Sequence, residues 1–303
     1  MGFDTTSDRD VEATTAISWV DSAGAERNLQ SEGTKSFEAT HAAARDVWNA
    51  RLGRIEITGG TRTQRRTFYS SLYRSLLGPN RGDDVDGRYR GWDNKIHKTE
   101  GHGYYQTSSL WDTYRTQIQL LALVAPEEAR DQTISLILQG EQSGWLPKWG
   151  YATVETNIMT GDNVTPQIVT AHQFGLLQGW EDRAWEQLKR NADGEPPAEH
   201  PAVGRAGNDF YLRHGFVPQE GKTCNQPGDC DMQHAGSATL EYALADAAMA
   251  TFAKSTGRNS EYKRYAQRSR NWLNVFTPDT NFPRARNAQG VFVSSADPVS
   301  YTH

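Results

Sequence analysis

From about residue 109 onward the apolar residues of this chain recur every three to four positions, and that period limits its fold more than any other feature. Helical stripes are predicted over 109–124, 127–142, 163–178, 181–191, 237–256 and 259–275. Two more helices precede them. In 36–52, Phe37, Ala44, Trp48 and Leu52 share a face behind Ser36, a suitable N-cap; in 63–78, Phe68, Leu72 and Leu76 lead to a terminal Gly78. Strand signals are confined to the alternating, β-branched "ATTAISWVDS" at 13–22 and the glycine-closed "GRIEITGG" at 53–60. A lone strand must pair with something. The expected class is therefore mainly α. Paired helices joined by long loops at one end describe part of an α/α toroid, and the helices predicted here are too few to close an (α/α)6 ring.

Two loops stand out. Residues 80–106, "NRGDDVDGRYRGWDNKIHKTEGHGYYQ", are rich in Gly and Asp and read as a long ordered loop or β-excursion. A second loop spans about 193–235. Loops of that length inside a helical domain are uncommon unless they carry function. Residues 1–11 show no periodicity, and "FPRARNAQGVFVSSADPVSYTH" supplies no closing element.

Several function classes are disfavoured at once. The net charge is −5 with no basic block, so a nucleic-acid surface is not expected. No run of 18 apolar residues exists to span a membrane. The first residues, "MGFDTTSDRD", are polar and acidic and do not form a signal peptide; "MGFDTT" fits a myristoylation pattern too short to carry weight. The eight histidines form no zinc-hydrolase motif, and phosphate-loop, nucleophile-elbow and catalytic-cysteine signatures are missing. Cys224 and Cys230 flank Pro227 and Gly228, whose turn can join them in a disulfide; two free thiols are the alternative, and a zinc site would need more ligands. A disulfide would place the protein outside the cytoplasm.

The residues with chemical potential are acidic and aromatic. In "SSLWDTYRTQ", Trp111, Asp112 and Arg115 sit where a long loop enters a helix, crowded by Tyr104, Tyr105 and Tyr114. The bland account of Asp112 is a carboxylate favoured by the helix N-terminus. The sharper account is a sugar site: hydroxyls need a carboxylate acceptor, and the C–H face of a sugar needs an aromatic ring. "GWLPKWGYATVETNIMTGDN" is a shaped loop offering Trp145, Trp149, Glu155 and Asp162. Asp162 is also placed to cap the helix starting near Val164, whereas Glu155 has no evident capping role. Glu241 and Asp246, on the helical "GSATLEYALADAAMA", read as solvated or capping charges, and Asn163-Val164-Thr165 is a poor glycosylation acceptor because Pro166 follows. Spacing alone nominates Asp112 and Glu155 as the carboxylate pair of a glycoside hydrolase.

Six stretches in order, "RRTFYSSLYRSLLGPN", "DVDGRYRG", "SLWDTYRTQ", "LPKWGYATVETNIMTGD", "GSATLEYALADAAMA" and "YAQRSRNWLNVFTPDTNFPRAR", resemble glycoside hydrolase family 92, over about residues 14–303. That resemblance implies an inverting, calcium-dependent exo-α-mannosidase, many of whose members cleave α-1,2 links in N-glycan or mannan chains. It implies an N-terminal β-sandwich followed by an (α/α)6 barrel. On that pattern 1–35 hold the end of the sandwich, 36–60 a linker helix and short strand, and 61–303 the first part of the catalytic domain. The family's acid lies in a Glu-Gly-Asn-(Ala/Ser)-Trp-Gln-Tyr segment and its base in a Gly-Asn-Asp-Asp segment, and neither motif occurs here. No catalytic residue is therefore expected in this chain; acid, base and most calcium ligands are expected beyond His303. The likeness makes Trp111 and Asp112 mannose-binding residues, with Arg115, Glu155 and Asp162 supporting them. Ser108 and Asn163 depart from the family's usual aromatic and His. The expected partners are mannose-containing glycans, with the full-length protein extracellular, cell-surface or periplasmic. The expectation is an incomplete α-mannosidase inactive alone. A non-catalytic mannoside-binding pseudoenzyme and a hydrolase using Asp112 with Glu155 are the competing readings.

Overall fold

The computed structural model describes Thr6, residues 11–220 and residues 228–293. The expectations for the remaining N-terminal residues, for Cys224 and for the tail from 294 to His303 fall outside the described residues. So does the expectation that acid and base follow His303, which the described residues neither meet nor oppose. Cys230 is buried and disulfide-bonded.

The predicted strand at 13–22 is not formed. Residues 13–22 pair with no strand, and a polar lacework takes the place of a ladder. Ser18 donates to Asp84 (2.7 Å) and accepts from the Val20 amide (3.0 Å). Asp21 then caps the first helix, α1 (Ser22–Glu32), by accepting from the Gly24 amide (2.5 Å). Asn28 ties that helix to Asp84 (3.0 Å) and to the Val85 amide (3.0 Å). The stretch at 53–60 is likewise turn rather than strand.

Helix α2 (Phe37–Leu52) starts where the sequence places it, with Ser36 accepting from the Ala39 amide, and α3 (Arg62–Ser75) opens on a reciprocal capping box between Thr61 and Gln64. The 80–106 segment is a nested β-excursion. Strand β1 (Asn80–Arg81) pairs antiparallel with β4 (Tyr105–Gln106), enclosing the hairpin of β2 (Arg88–Arg90) and β3 (Ile96–Lys98). Stacking of Tyr89 on Tyr104 at 3.8 Å pins the hairpin down.

The predicted helix at 109–124 is interrupted. A short turn, α4 (Leu110–Asp112), runs into a wide π-type turn over Thr113–Gln117 before α5 (Ile118–Val124) resumes. Helix α6 (Pro126–Ser143) begins with Pro at its first turn and ends on left-handed Gly144. A small hairpin, β5 (Gly150–Tyr151) with β6 (Val154–Glu155), precedes α7 (Val164–Gln173) and α8 (Glu181–Asp193). The second long loop contains a helix that the sequence reading missed, α9 (Asn208–His214), bounded by left-handed Gly207 and Gly215. Helix α10 (Ala235–Ser255) and α11 (Asn259–Arg268) follow, the latter tightening to a 3-10 turn over Ser269–Asn274. The tail forms a further hairpin, β7 (Phe276–Thr277) with β8 (Phe282–Pro283).

The core joins α5–α8, α10 and α11 through Ile118, Leu121, Ile137, Ile168, Leu188, Met249, Phe252 and Tyr265. Helix α10 is apolar nearly all round because it is packed by α7 on one side and α11 on another. Burying side chains such as Met249 or Phe252 stabilises by roughly 1.5–3 kcal/mol each. By contrast, no α2 residue is fully buried. The architecture is mainly α, built from packed helix pairs with loops and hairpins between them.

Candidate functional site

The site is built where the 107–118 segment meets the 148–155 hairpin and α10. Ser108 bridges to Gly150, whose amide donates to the Ser108 carbonyl at 3.2 Å, and buried Leu110 anchors the turn in the core. Trp111 is half-buried and Asp112 exposed. Asp112 makes no capping bond to the backbone. Its carboxylate instead accepts from the Ser109 hydroxyl, which accepts in turn from the Trp149 indole N–H at 2.7 Å. That relay fixes the Asp112 rotamer and leaves its other oxygen toward solvent.

Beyond Asp112 the helix breaks. Arg115 adopts φ −88°, ψ 89° and Thr116 adopts φ 76°, ψ −27°. Left-handed backbone at a β-branched residue costs on the order of 1–3 kcal/mol and persists only where tertiary contacts impose it. Those contacts are on both sides of the break. Gln117 donates to the carbonyls of Ser75 (2.8 Å) and Gly78 (3.0 Å) at the end of α3. On the other side, Tyr114 donates to Glu241 Oε2 at 2.8 Å and Arg115 to Glu241 Oε1 at 2.5 Å. The Arg115 guanidinium lies 4.6 Å from the Tyr114 ring centre and 5.5 Å from that of Trp111. Burial, and then the Glu241 charge, push the Tyr114 phenol well above its ordinary ionisation range.

Trp111, Asp112 and Arg115 thus all reach the surface at one turn, with the Arg115 guanidinium over the Trp111 ring. Glu155 and Asp162 are not part of that surface. Glu155 is buried, and its carboxylate accepts from the backbone amides of Lys148 (2.6 Å), Asn157 (2.7 Å) and Trp149 (3.1 Å). Burial pushes its pKa up, against the pull of those amides. Asp162 accepts from the Thr165 hydroxyl (2.8 Å) and amide (3.3 Å) and from Arg205 Nε (2.8 Å). Both acids hold the loop that delivers Trp149 to Ser109. Asn163, in the sequon, is fully buried and donates to the Thr160 carbonyl.

Behind the site runs a buried ionic network absent from the sequence reading. Arg205 also donates to Asp246 (2.9 Å), which receives Arg268 (2.6 and 2.7 Å) and the Tyr211 hydroxyl (2.8 Å); Arg268 continues to Asp193 (2.9 Å). Lys148 pairs with Asp231 (2.9 Å), which also receives Tyr242 (2.5 Å). Glu241 was the functional candidate missed. Its signal was a carboxylate, one of two with Asp246, on a helix otherwise almost wholly apolar.

Among the described residues no three His, Cys, Asp or Glu side chains come together as a cation site would need. The acids are already engaged: Asp84 by Ser18 and Asn28, Asp86 by Arg27 and Arg88, and the core acids by Lys148, Arg205 and Arg268. Calcium requires a shell of six or more oxygens. The described residues alone do not supply such a shell; the resemblance expects most of the calcium ligands elsewhere.

Comparison with known proteins bears on the family and the fold. The profile of the glycosyl hydrolase family 92 catalytic domain matches residues 24–303. A protein of Arthroderma benhamiae named as an uncharacterized secreted glycosidase is 26% identical over 283 residues, 89% of this chain and 31% of its own length. A GH92 alpha-mannosidase from Bacteroides thetaiotaomicron superposes with a TM-score of 0.82 at 28% identity, over 94% of this chain and 36% of that one; its structure is also known with mannoimidazole. A GH92 inverting mannosidase of the same organism gives 0.83 at 30% identity, over 92% of this chain and 37% of that one. The chain spans about a third of the length of these relatives. Its helices are those of an α/α toroid, the catalytic domain of these mannosidases. The profile match over nearly its whole length makes this chain a member of glycosyl hydrolase family 92.

Proposed function

We propose that this chain supplies the sugar-holding part of an α-mannosidase and that its ligand is the terminal mannose of a mannose-containing glycan. The observation that carries this is the exposed array of Trp111, Asp112 and Arg115. Trp111 offers its face to the apolar C–H side of the ring. Asp112 accepts hydrogen bonds from a hydroxyl pair, its other oxygen steadied by Ser109, and Arg115 donates to the same hydroxyls. The matched inverting relative supports a single-displacement reaction, and family resemblance supports α-1,2 links and an exo mode.

Inverting hydrolysis needs an acid to protonate the leaving oxygen and a second carboxylate to take a proton from water. Asp112 is the one exposed carboxylate in the array, and binding hydroxyls occupies it. Glu155 is closed to the role because three amides surround it away from solvent. The pairing of Asp112 with Glu155 as acid and base is therefore set aside. Acid and base are assigned to residues outside this array. The disulfide at Cys230 and the secreted relative support an oxidising, extracytoplasmic setting.

The test is calorimetric titration of the purified chain with methyl α-D-mannoside, alongside mannose release from α-1,2-mannobiose with calcium or with a chelator. Binding on the order of millimolar, lost in Asp112→Asn, is expected without release. Release by this chain would overturn the assignment of acid and base. No binding by a chain that melts cooperatively would overturn the sugar site.

A further inference from the structure

The Trp111 face is only as well placed as Arg115, and on its own segment Arg115 meets only the rings of Tyr114 and Trp111, with no ionic partner there. It is half-exposed, at a backbone break, with a long side chain that would otherwise sample many rotamers. One carboxylate restrains it. Glu241 sits on α10, 126 residues away in sequence, 17% exposed, and divides its carboxylate between Arg115 and Tyr114. Glu241 is itself pinned from behind. A Cβ on Gly161 would lie 2.6 Å from the Glu241 Cβ, so the 159–163 loop closes directly over its stem. That loop is fixed by the Gly161 amide donating to Asp231 at 3.1 Å, and the neighbouring Tyr242 donates to the same aspartate.

We propose that Glu241 is a positioning residue: held between Gly161 and α10, it sets Arg115 against Trp111 and so fixes the donor side of the sugar site. It does not touch the sugar. Its two oxygens are both taken by protein donors, while Arg115 spends one of its N–H groups on Glu241 and keeps others for a ligand. A charge-assisted bond of this kind is directional, so removing the charge frees the guanidinium without emptying the site. The proposal rests on the sugar-site reading for its effect on binding, but its geometric part stands apart from any ligand.

The experiment is a double-mutant cycle on Glu241→Gln and Arg115→Met in the whole chain, read by methyl α-D-mannoside titration, with melting followed in parallel. Glu241→Gln is expected to weaken binding roughly tenfold, and to add little further once Arg115→Met is present. Equal losses in both backgrounds, or unchanged affinity with only a lowered melting temperature, would overturn the positioning role. A second readout needs no sugar. In Glu241→Gln the Tyr114 phenol should ionise at lower pH, nearer its ordinary value, assigned by the 295 nm absorbance step that disappears in Tyr114→Phe. An unmoved Tyr114 step overturns the proposal. Failure of the unsubstituted chain to bind, with that step shifted, would count against the sugar site and leave Glu241's hold on Tyr114 and Arg115 standing.

Discussion

Two clusters in this molecule use the same residue types to opposite ends. In the core, Asp162, Arg205, Asp246, Arg268 and Asp193 form a chain of ion pairs in which Arg205 and Asp246 are fully buried. At the surface, Asp112, Arg115 and Glu241 form a second cluster in which Asp112 and Arg115 remain open. The core cluster is closed on itself. Each of its charges is met by an opposite charge, and leaving one unmatched in low dielectric is costly. The surface cluster leaves Asp112 and the Arg115 guanidinium open, and under the proposed function the ligand is what meets them. Burial, more than residue identity, separates scaffold from site.

The contrast can be broken most forcefully at Arg205. Arg205→Met leaves Asp162 without its cation and Asp246 with Arg268 alone, and should destabilise by about 3–5 kcal/mol, read as a lower urea midpoint. A loss below about 1 kcal/mol would mean the core charges are solvated after all. Gly161→Ala tests the joint between the clusters. It demands φ 104° of an L-residue and drives a methyl into Glu241, so a cost of about 1–3 kcal/mol is expected, together with weaker mannoside binding. If stability falls but binding holds, the loop does not bear on the site.

A smaller effect follows from pH. Burial raises the Asp193 pKa, but Tyr265, Arg268 and Arg264 outweigh it and hold it below its ordinary 3.8. A carboxylate depressed in the folded state contributes stability above its unfolded pKa and loses it as pH falls through the folded value. The wild-type chain should therefore lose stability below about pH 4, with a shallower acid limb in Asp193→Asn, measured by melting from pH 6 to 2. Glu155, held above 4.5 by burial, works in the opposite sense and should gain relative stability as pH falls toward that value. The smallest stability effect belongs to the open cluster: Asp112→Asn should alter the melting free energy by less than about 0.5 kcal/mol while removing mannoside binding.

Much of the framework was legible because its signals are local. Ser36 and the stripe behind it marked α2, and the 127–142 stripe is α6 (Pro126–Ser143) to within a residue at each end. The strand at 13–22 failed because β-branched residues express a strand preference only against a partner, and Asp21 supplied a helix cap instead. The break at Arg115 and Thr116 left no trace in "TYRTQ", which has neither Gly nor Pro to announce it. It is imposed by Gln117 reaching α3 and by Glu241 reaching from α10. Arg205 was invisible for the same reason, its partners lying 43 residues before it and 41 after. At the site, the aromatic-acid grouping of Trp111 and Asp112 was readable from composition. The split between Asp112 in the open and Glu155 and Asp162 in the interior depended on burial that no spacing reveals.

Helix α10 carries Glu241 and Asp246 on one rigid rod, about 7.5 Å apart along its axis. A rod transmits displacement without attenuation over so short a span. Any disturbance that slides α10 in the ionic core therefore moves the Arg115 anchor by nearly the same amount. On the proposed sugar-site reading, recognition inherits the tolerances of the interior: a substitution far from the site that never unfolds the chain can still detune the fit.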